Sequence, residues 1–291
     1  MRVAILGCGY VGLALGARLA EAGHDVTGVR RSEEGLARVA DAGLRAVEAD
    51  VTDRASLAAV PDADWLVFAA SSGGRGAEAA RAVYVDGLAT AVDSFASRAD
   101  PPDRLVYTSS TGVYGDHGGD WVDESTPVDP TTPKTEVLVE AEERARAAPF
   151  DATVARFAGL YGPGRYRLER YLEGPVTDGY LNMVHRADAA GAVAHLLEED
   201  RARGETVLVV DDEPVSKWTF ADWLADECGR EQPPKQTVAE RLAAGDLSDA
   251  AARRLRTSKR CANDRLRGHG YELQYPTFRE GYRAAVEETR E

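Results

Sequence analysis

At 291 residues, with 44% hydrophobic and 29% charged positions, the chain is ordinary for a globular protein and long enough for one large domain or two small ones. A formal charge of −14 argues against nucleic acid and anionic membrane as partners, and no run of 18 apolar residues marks a membrane span. The chain opens into a strand without a signal-peptide pattern, and its three cysteines (Cys8, Cys228, Cys261) show no metal spacing, so a reducing cytoplasm is the expected location.

Only four of the 35 basic residues are lysines: Lys134, Lys217, Lys235 and Lys259. An acidic surface that favours Arg over Lys is expected of a protein working in high salt. A GC-rich genome would also favour Arg and Ala codons, but it does not account for the acid excess.

Taken in order, apolar runs and amphipathic stretches alternate. Strands are expected over 2–6, 25–29, 46–48, 65–69, 104–108 and 152–156, and helices over 11–22, 33–41, 54–59, 76–98 and 134–147. This alternation predicts an α/β, doubly wound parallel-sheet Rossmann fold, and the wholly apolar LVFAA at 66–70 suits a strand covered on both faces. Beyond residue 160 the pattern breaks up around GLYGPGRYR. One more strand is expected near 206–212, with helices near 186–198, 217–228 and 277–288. Residues 1–160 are expected to form the dinucleotide-binding core and 161–291 a small C-terminal substrate lobe, with the strand near 206–212 returning to the core sheet.

The first strand runs directly into GCGYVG and then a helix, which raises a weak glycine pattern to a strong one. Gly7 permits the tight turn, Gly9 lets backbone approach a pyrophosphate, and Gly12 lets the helix pack close to the strand. The helix N-terminus then faces the negative charge. The second strand ends in Arg30-Arg31-Ser32, where an NAD-specific site would place an acid for the ribose 2′-hydroxyl. Guanidinium groups there can hold a 2′-phosphate, so NADP(H) is expected over NAD(H), unless both arginines are simply solvated surface charges. The expected dinucleotide contacts are Gly7, Cys8, Gly9, Tyr10, Val11 and Gly12 in the loop, and Arg30, Arg31 and Ser32 after the second strand. Asp50 and Val51 follow the third strand, where the adenine amino group would lie, or else form a plain turn. Ala69, Ala70, Ser71 and Ser109 complete the set at the ends of the fourth and fifth strands.

The segment LVYTSSTGVYG (105–115) resembles the nucleotide-sugar epimerase/dehydratase branch of the short-chain dehydrogenases/reductases, the extended type. The likeness continues through WVDESTPVDPTTP (121–133), ARFAGLYGPGR (155–165), NMVHRADAAGAVAHLLE (182–198) and DDEPVSKWTFADWLA (211–225). With RLRGHGYELQYPTFREGY (265–282) it is most similar to the atypical, YeeZ-like epimerase homologues. The resemblance implies a Ser or Thr that polarises a substrate oxygen, a Tyr that transfers its proton, and a Lys four residues later that lowers the Tyr pKa. Ser110 matches the Ser. Lys134 stands where the Tyr should be and Leu138 where the Lys should be, and 122–160 contains no Tyr at all.

Replacement acids are few. Tyr161 in GLYGPG and His185 in NMVHRAD are candidate catalytic residues beside Ser110. Tyr161 could instead cap the core, and His185 could be a hydrogen-bonded structural ring. Tyr114 of the VYG turn and Lys134 are weaker candidates, Lys134 only if desolvated. No metal motif and no GxSxG elbow is present. The stretch RRLRTSKR (253–260) could bind a phosphate or nucleotide sugar, or offset an acidic surface. Helices 76–98 and 134–147 occupy the places where extended relatives form a two-fold interface, so a homodimer is an expectation.

Two functions follow. One is an NADP(H)-dependent oxidoreductase or epimerase-like enzyme acting on a small polar or sugar-linked molecule, nucleotide sugars included. The other is a catalytically inactive NADP(H)-sensing or regulatory binding protein. A third, an epimerase or isomerase that uses the dinucleotide structurally, carries less.

Overall fold

The computed structural model describes residues 1–73 and 76–290, with the side chains of Ala250 and Arg290 outside the description. Its centre is a seven-stranded, all-parallel sheet. In chain order the core elements are β1 (Arg2–Leu6), α1 (Tyr10–Glu21), β2 (Asp25–Arg30), α2 (Glu33–Asp41), β3 (Arg45–Glu48) and β4 (Trp65–Phe68). They continue with α3 (Ala77–Ala96, in three segments), β5 (Arg104–Ser110), α4 (Pro133–Arg146), β6 (Asp151–Phe157), α5 (Arg186–Glu198) and β7 (Thr206–Val209). The sheet order is β7-β6-β5-β4-β1-β2-β3, which reverses direction between β1 and β4. That reversal opens a crevice at the carboxyl ends of the strands, the usual ligand position in such sheets.

Strand pleating sends alternate residues to opposite layers. Val3 and Ile5 of β1 pack with Leu15 and Leu19 of α1 and the small residues Ala189, Ala192 and Val193 of α5. Ala4 and Leu6 face the other way, onto Leu88, Ala91 and Phe95 of α3 and Val137 and Ala141 of α4. Both faces are therefore covered, as the uninterrupted apolar strands require.

Helix α3 is not the uniform helix expected over 76–98. It is α-helical at Ala77–Arg81, π-helical at Ala82–Gly87 and α-helical again at Leu88–Ala96. Gly87 closes the π turn against Val51, where a Cβ would come within 2.9 Å of the Val51 Cγ2. The four-helix dimer expectation rests on α3 and α4. These pack side by side and share the Arg81–Glu140 ion pair, with Nη1–Oε1 at 2.8 Å. Among the described residues the exposed large hydrophobics are Met1 and Trp121, and neither lies on these helices.

The chain beyond residue 160 is shared between core and lobe. Helix α5 packs on α1, and β7 is the sheet edge beside β6. The lobe proper carries α6 (Lys217–Glu227), α7 (Asp249–Arg256) and α8 (Phe278–Arg290), and its own aromatic core joins Phe220 of α6 and Phe278 and Tyr282 of α8 to Tyr161. Two-residue strand pairs tie it down. Arg260–Cys261 runs parallel to Trp121–Val122, and Tyr180–Leu181 runs antiparallel to Val215–Ser216. Among the described residues no helix is long and apolar enough to cross a membrane.

Candidate dinucleotide and substrate site

The glycine loop has the form a pyrophosphate needs. Gly7 sits at φ +85°, and the N–H groups of Gly7 and Cys8 both reach Val29 O (3.2 and 3.1 Å), which folds the loop over the end of β2. A Cβ at Gly7 would lie 2.2 Å from the Ala70 Cα, so the two strand ends at the crevice are in direct backbone contact. Gly12 lies against Ile5, with 3.1 Å between an added Cβ and the Ile5 Cγ2. Helix α1 starts with no side-chain cap and no acid in its first turn, whereas α2, α4, α5 and α6 are each capped by a side chain. The N–H groups of its first turn, from Tyr10 through Gly12, therefore head the helix with no side-chain acceptor and aim positive dipole ends into the crevice. These residues fit a dinucleotide. Cys8 takes no reactive part, because burial pushes its thiol up to about 12.

The two arginines after β2 are placed differently. The Arg30 guanidinium lies across the loop, 3.0 Å from where a Cβ of Gly9 would stand, and it forms no ion pair among the described residues. Arg31 is 60% exposed at the side chain and lies 3.6 Å from Asp50 Oδ2. Asp50 is held below the usual carboxylate range, first by the Thr52 backbone N–H and further by the Thr52 hydroxyl and Arg31. Ser32 is spent as the cap of α2, accepting from Gly35 N at 3.3 Å. Val51 is buried against Gly87. Ala69 and Ala70 border the crevice at Gly7, and Ser71 is exposed beyond them. The ring of Tyr10 is flanked by Arg165 and Arg186, each 5.1 Å from its centroid.

Ser109 faces away from the crevice. Its hydroxyl donates to Glu142 Oε1 at 2.7 Å, inside a buried cluster in which Arg156 makes two hydrogen bonds to the same carboxylate. Arg156 also donates to the Tyr114 hydroxyl at 2.7 Å. Tyr114 is thus fully buried and bound, with its hydroxyl pushed up to about 12 by burial. Ser110 points to the other side. It caps the short turn Thr111–Tyr114, accepting from Gly112 N at 3.1 Å, and it lines a cleft between the sheet ends and the lobe.

That cleft measures about 1250 Å³. Lys134 and Leu138, the two positions that the resemblance assigns to Tyr and Lys, both line it. Arg170, Lys217, Arg241, Arg253, Arg254 and Lys259 also line it, and among the described residues no Asp or Glu does. Arg241 is neutralised by Asp246 at 2.5 Å; the other cations of the cleft have no carboxylate within ion-pair reach among the described residues. Lys134 occupies the first turn of α4, where the helix dipole disfavours a cation by about 0.3–1 kcal/mol. An anion in the cleft would offset that cost.

The remaining sequence candidates are structural. Tyr161 is 2% exposed and stacks on Tyr282 with 4.7 Å between ring centroids, inside the lobe core rather than along the cleft. Burial raises its hydroxyl far above the ordinary tyrosine value. His185 caps α5, its Nδ1 accepting from Ala187 N at 3.2 Å. Burial lowers its imidazole to about 4, with Arg186 adding to the effect, so it is neutral at pH 7. In sequence Lys217 stands out only as a rare lysine, whereas Lys259 belongs to RRLRTSKR, the stretch that could bind a phosphate or offset an acidic surface. Their sequence neighbours give no sign that 116–122 and 178–182 will bring them to one cavity. Among the described residues no group of three or more His, Cys, Asp or Glu could hold a metal ion.

The sheet order, the glycine turn and the uncapped helix start together define a Rossmann-type dinucleotide-binding protein. A family model described as NAD(P)H-binding matches residues 7–200, and the chain belongs to that family. It is 36% identical to protein YeeZ of Escherichia coli K12 over 207 residues, 68% of this chain and 73% of YeeZ, and is a homologue of it. A solved candidate NAD-dependent epimerase/dehydratase from Methylobacillus flagellatus matches at TM-score 0.79 and 31% identity, covering 100% of this chain and 99% of that one. The human epimerase family protein SDR39U1, solved with NADPH, reaches the same TM-score at 19% identity over 100% of this chain and 99% of its own, which shows a shared fold.

Proposed function

We propose that the chain is an NADP(H)-dependent oxidoreductase or epimerase-like enzyme whose substrate carries phosphate, as a nucleotide sugar does. The observation that carries this reading is the cleft beside Ser110. In a chain of net charge −14, it gathers three of the four lysines and several arginines and, among the described residues, has no carboxylate on its walls. Such a cleft concentrates anions that the rest of the surface repels. When bound, the dinucleotide would supply or take up a hydride. Its pyrophosphate would rest on the first turn of α1, and Arg30 would meet the ribose 2′-phosphate. Ser110 would donate a hydrogen bond to the substrate oxygen.

The test is a screen of UDP-glucose, UDP-galactose and other nucleotide sugars, with their keto forms, for loss or gain of nicotinamide absorbance. Ser110→Ala is expected to lower the turnover found by about 100-fold or more, the usual effect of removing one donor to a developing oxyanion. Unchanged turnover in that variant would remove Ser110 from the reaction. A second reading, an NADP(H) sensor, is favoured by Lys134 and Leu138 standing where the Tyr and Lys should be. Tight NADPH binding without turnover on the whole panel, joined to a cofactor-dependent change of shape in solution scattering, would establish that reading instead.

A further inference from the structure

We propose that the Lys259 amine is the proton-exchanging group of this cleft, serving the substrate oxygen that Ser110 holds. The proposal rests on reading the cleft as a substrate site. Lys259 is 6% exposed, and its Nζ donates to Gly115 O at 2.9 Å. Gly115 ends the short turn Thr111–Tyr114 that Ser110 begins, so hydroxyl and amine bracket one turn. An ammonium has three N–H donors, and one is used here. No carboxylate among the described residues forms an ion pair with it.

The backbone that carries Lys259 is fixed on both sides. Ser258 N donates to Asp116 Oδ1 at 2.8 Å, and Ser258 O accepts from His117 N and Gly119 N. Lys259 O accepts from Asn182 Nδ2 at 2.9 Å, and Cys261 N donates to Asn182 Oδ1 at 2.6 Å. This clamp joins the lobe to the loop after the VYG turn. It is more anchoring than a solvated surface lysine requires, and it suits a group whose position matters.

Residue choice points the same way. The chain meets nearly all its needs for positive charge with Arg, which cannot release a proton near neutral pH. A lysine can, once desolvated. Burial lowers the Lys259 ammonium below the ordinary lysine range, with Cys261 and then Asp116 opposing the shift. The Cys261 thiol is itself pushed up to about 11 by burial and stays neutral, which leaves Asp116 as the opposing charge. From the other walls, Lys134 on α4, Lys217 on α6, Arg253 and Arg254 on α7, and Arg170 and Arg241 share the cleft. Lys217 donates to Asp178 O within the lobe, so Lys259 is the cleft lysine tied to the Ser110 turn.

The step balances simply for a carbonyl substrate and a reduced nicotinamide dinucleotide. A C–H bond forms with the hydride pair, the C=O π pair moves to oxygen, and that oxygen takes an N–H proton from Lys259. The nitrogen keeps the bonding pair as a neutral amine and regains a proton from solvent. In the reverse direction the amine removes the hydroxyl proton.

With four lysines in the chain, lysine-selective 13C labelling gives four side-chain signals, and Lys259→Arg assigns the one in question. The Cε shifts are followed from about pH 6 to 11 in the NADPH-loaded protein. Lys259 is expected to titrate at least one unit below the ordinary value of about 10.4. Adding UDP-glucose should move its signal and raise its midpoint. A midpoint at the ordinary value, or a Lys259 signal silent while Lys134 and Lys217 respond, would overturn the assignment. No response of any cleft lysine to UDP-glucose or pyrophosphate would instead overturn the cleft reading itself, and the proposal with it. In the reaction found by the screen, Lys259→Met should lower kcat by about 100-fold or more with NADPH affinity within about 2-fold of wild type. Ethylamine should restore part of the loss in Lys259→Ala, and guanidine should not. Full activity in Lys259→Met, or failure of every amine to rescue, would contradict the proposal.

Discussion

Glu142→Ala is expected to cost about 3–5 kcal/mol of folding stability, the usual result of removing one partner from a buried charge cluster. Glu142 has no exposure, and its carboxylate accepts from four groups: Ser109 Oγ at 2.7 Å, Arg156 Nε at 2.9 Å, Arg156 Nη2 at 2.6 Å and Arg146 Nη2 at 2.9 Å. Without it, the Arg156 guanidinium, 4% exposed, keeps among the described residues only the Tyr114 hydroxyl as a hydrogen-bond partner. Arg146 is different, because its side chain is 38% exposed and water can replace the carboxylate. Glu142→Gln retains an acceptor and should lose less. The cluster joins α4 to the ends of β5 and β6, so its loss also loosens Ser110, the next residue along β5 from Ser109. Urea unfolding of the two variants checks the order, and a loss under about 1 kcal/mol in Glu142→Ala would show that the cluster contributes little net stability.

Gly7→Ala is expected to weaken NADPH binding by about 100-fold or more, and to lower stability as well. Its φ of +85° costs an L-residue about 1–2 kcal/mol. The added Cβ would then lie 2.2 Å from the Ala70 Cα and 2.4 Å from the Ala70 N, both backbone atoms that cannot turn aside. The loop or β4 must shift, and the first turn of α1 moves with it. Gly9→Ala is the useful contrast. Its Cβ would meet the Arg30 Nη1 at 3.0 Å, the far end of a flexible side chain, so the fold should tolerate it better than the cofactor does. Fluorescence titration with NADPH beside a thermal melt separates the two effects. Wild-type affinity in Gly7→Ala would contradict the placement of the pyrophosphate.

The core was readable because its signals are long and periodic. Residues 3–6, 65–68 and 105–107 are apolar on both faces, and that pattern survives without knowledge of the partners. Gly7, Gly9 and Gly12 were readable because a turn, a close backbone approach and a close helix–strand contact each exclude a side chain. The π turn in α3 had no such signal, since its composition is that of any buried helix. The two-residue strands are too short to show any period, yet Arg260–Cys261 with Trp121–Val122 is what carries Lys259 to the Ser110 turn. A pairing across some 140 residues leaves no local trace. Ser109 and Ser110 look alike in sequence, and only the pleat decides that one meets Glu142 and the other the cleft. Tyr161 reads in sequence either as a catalytic candidate or as a cap on the core, and only the stacking of Tyr282, from the last helix, places it in the core.

The specificity of the dinucleotide site is the central claim, and isothermal titration with NADPH and NADH measures it without any substrate. Wild-type protein is expected to bind NADPH at least about 10-fold more tightly than NADH, a difference of about 1.4 kcal/mol or more. Arg30→Ala should abolish most of that margin and leave NADH affinity nearly unchanged. Arg31→Ala should do less, because Asp50 already lies 3.6 Å from its guanidinium. Equal affinity for the two dinucleotides in the wild type, or an equal loss of both in Arg30→Ala, would contradict the account.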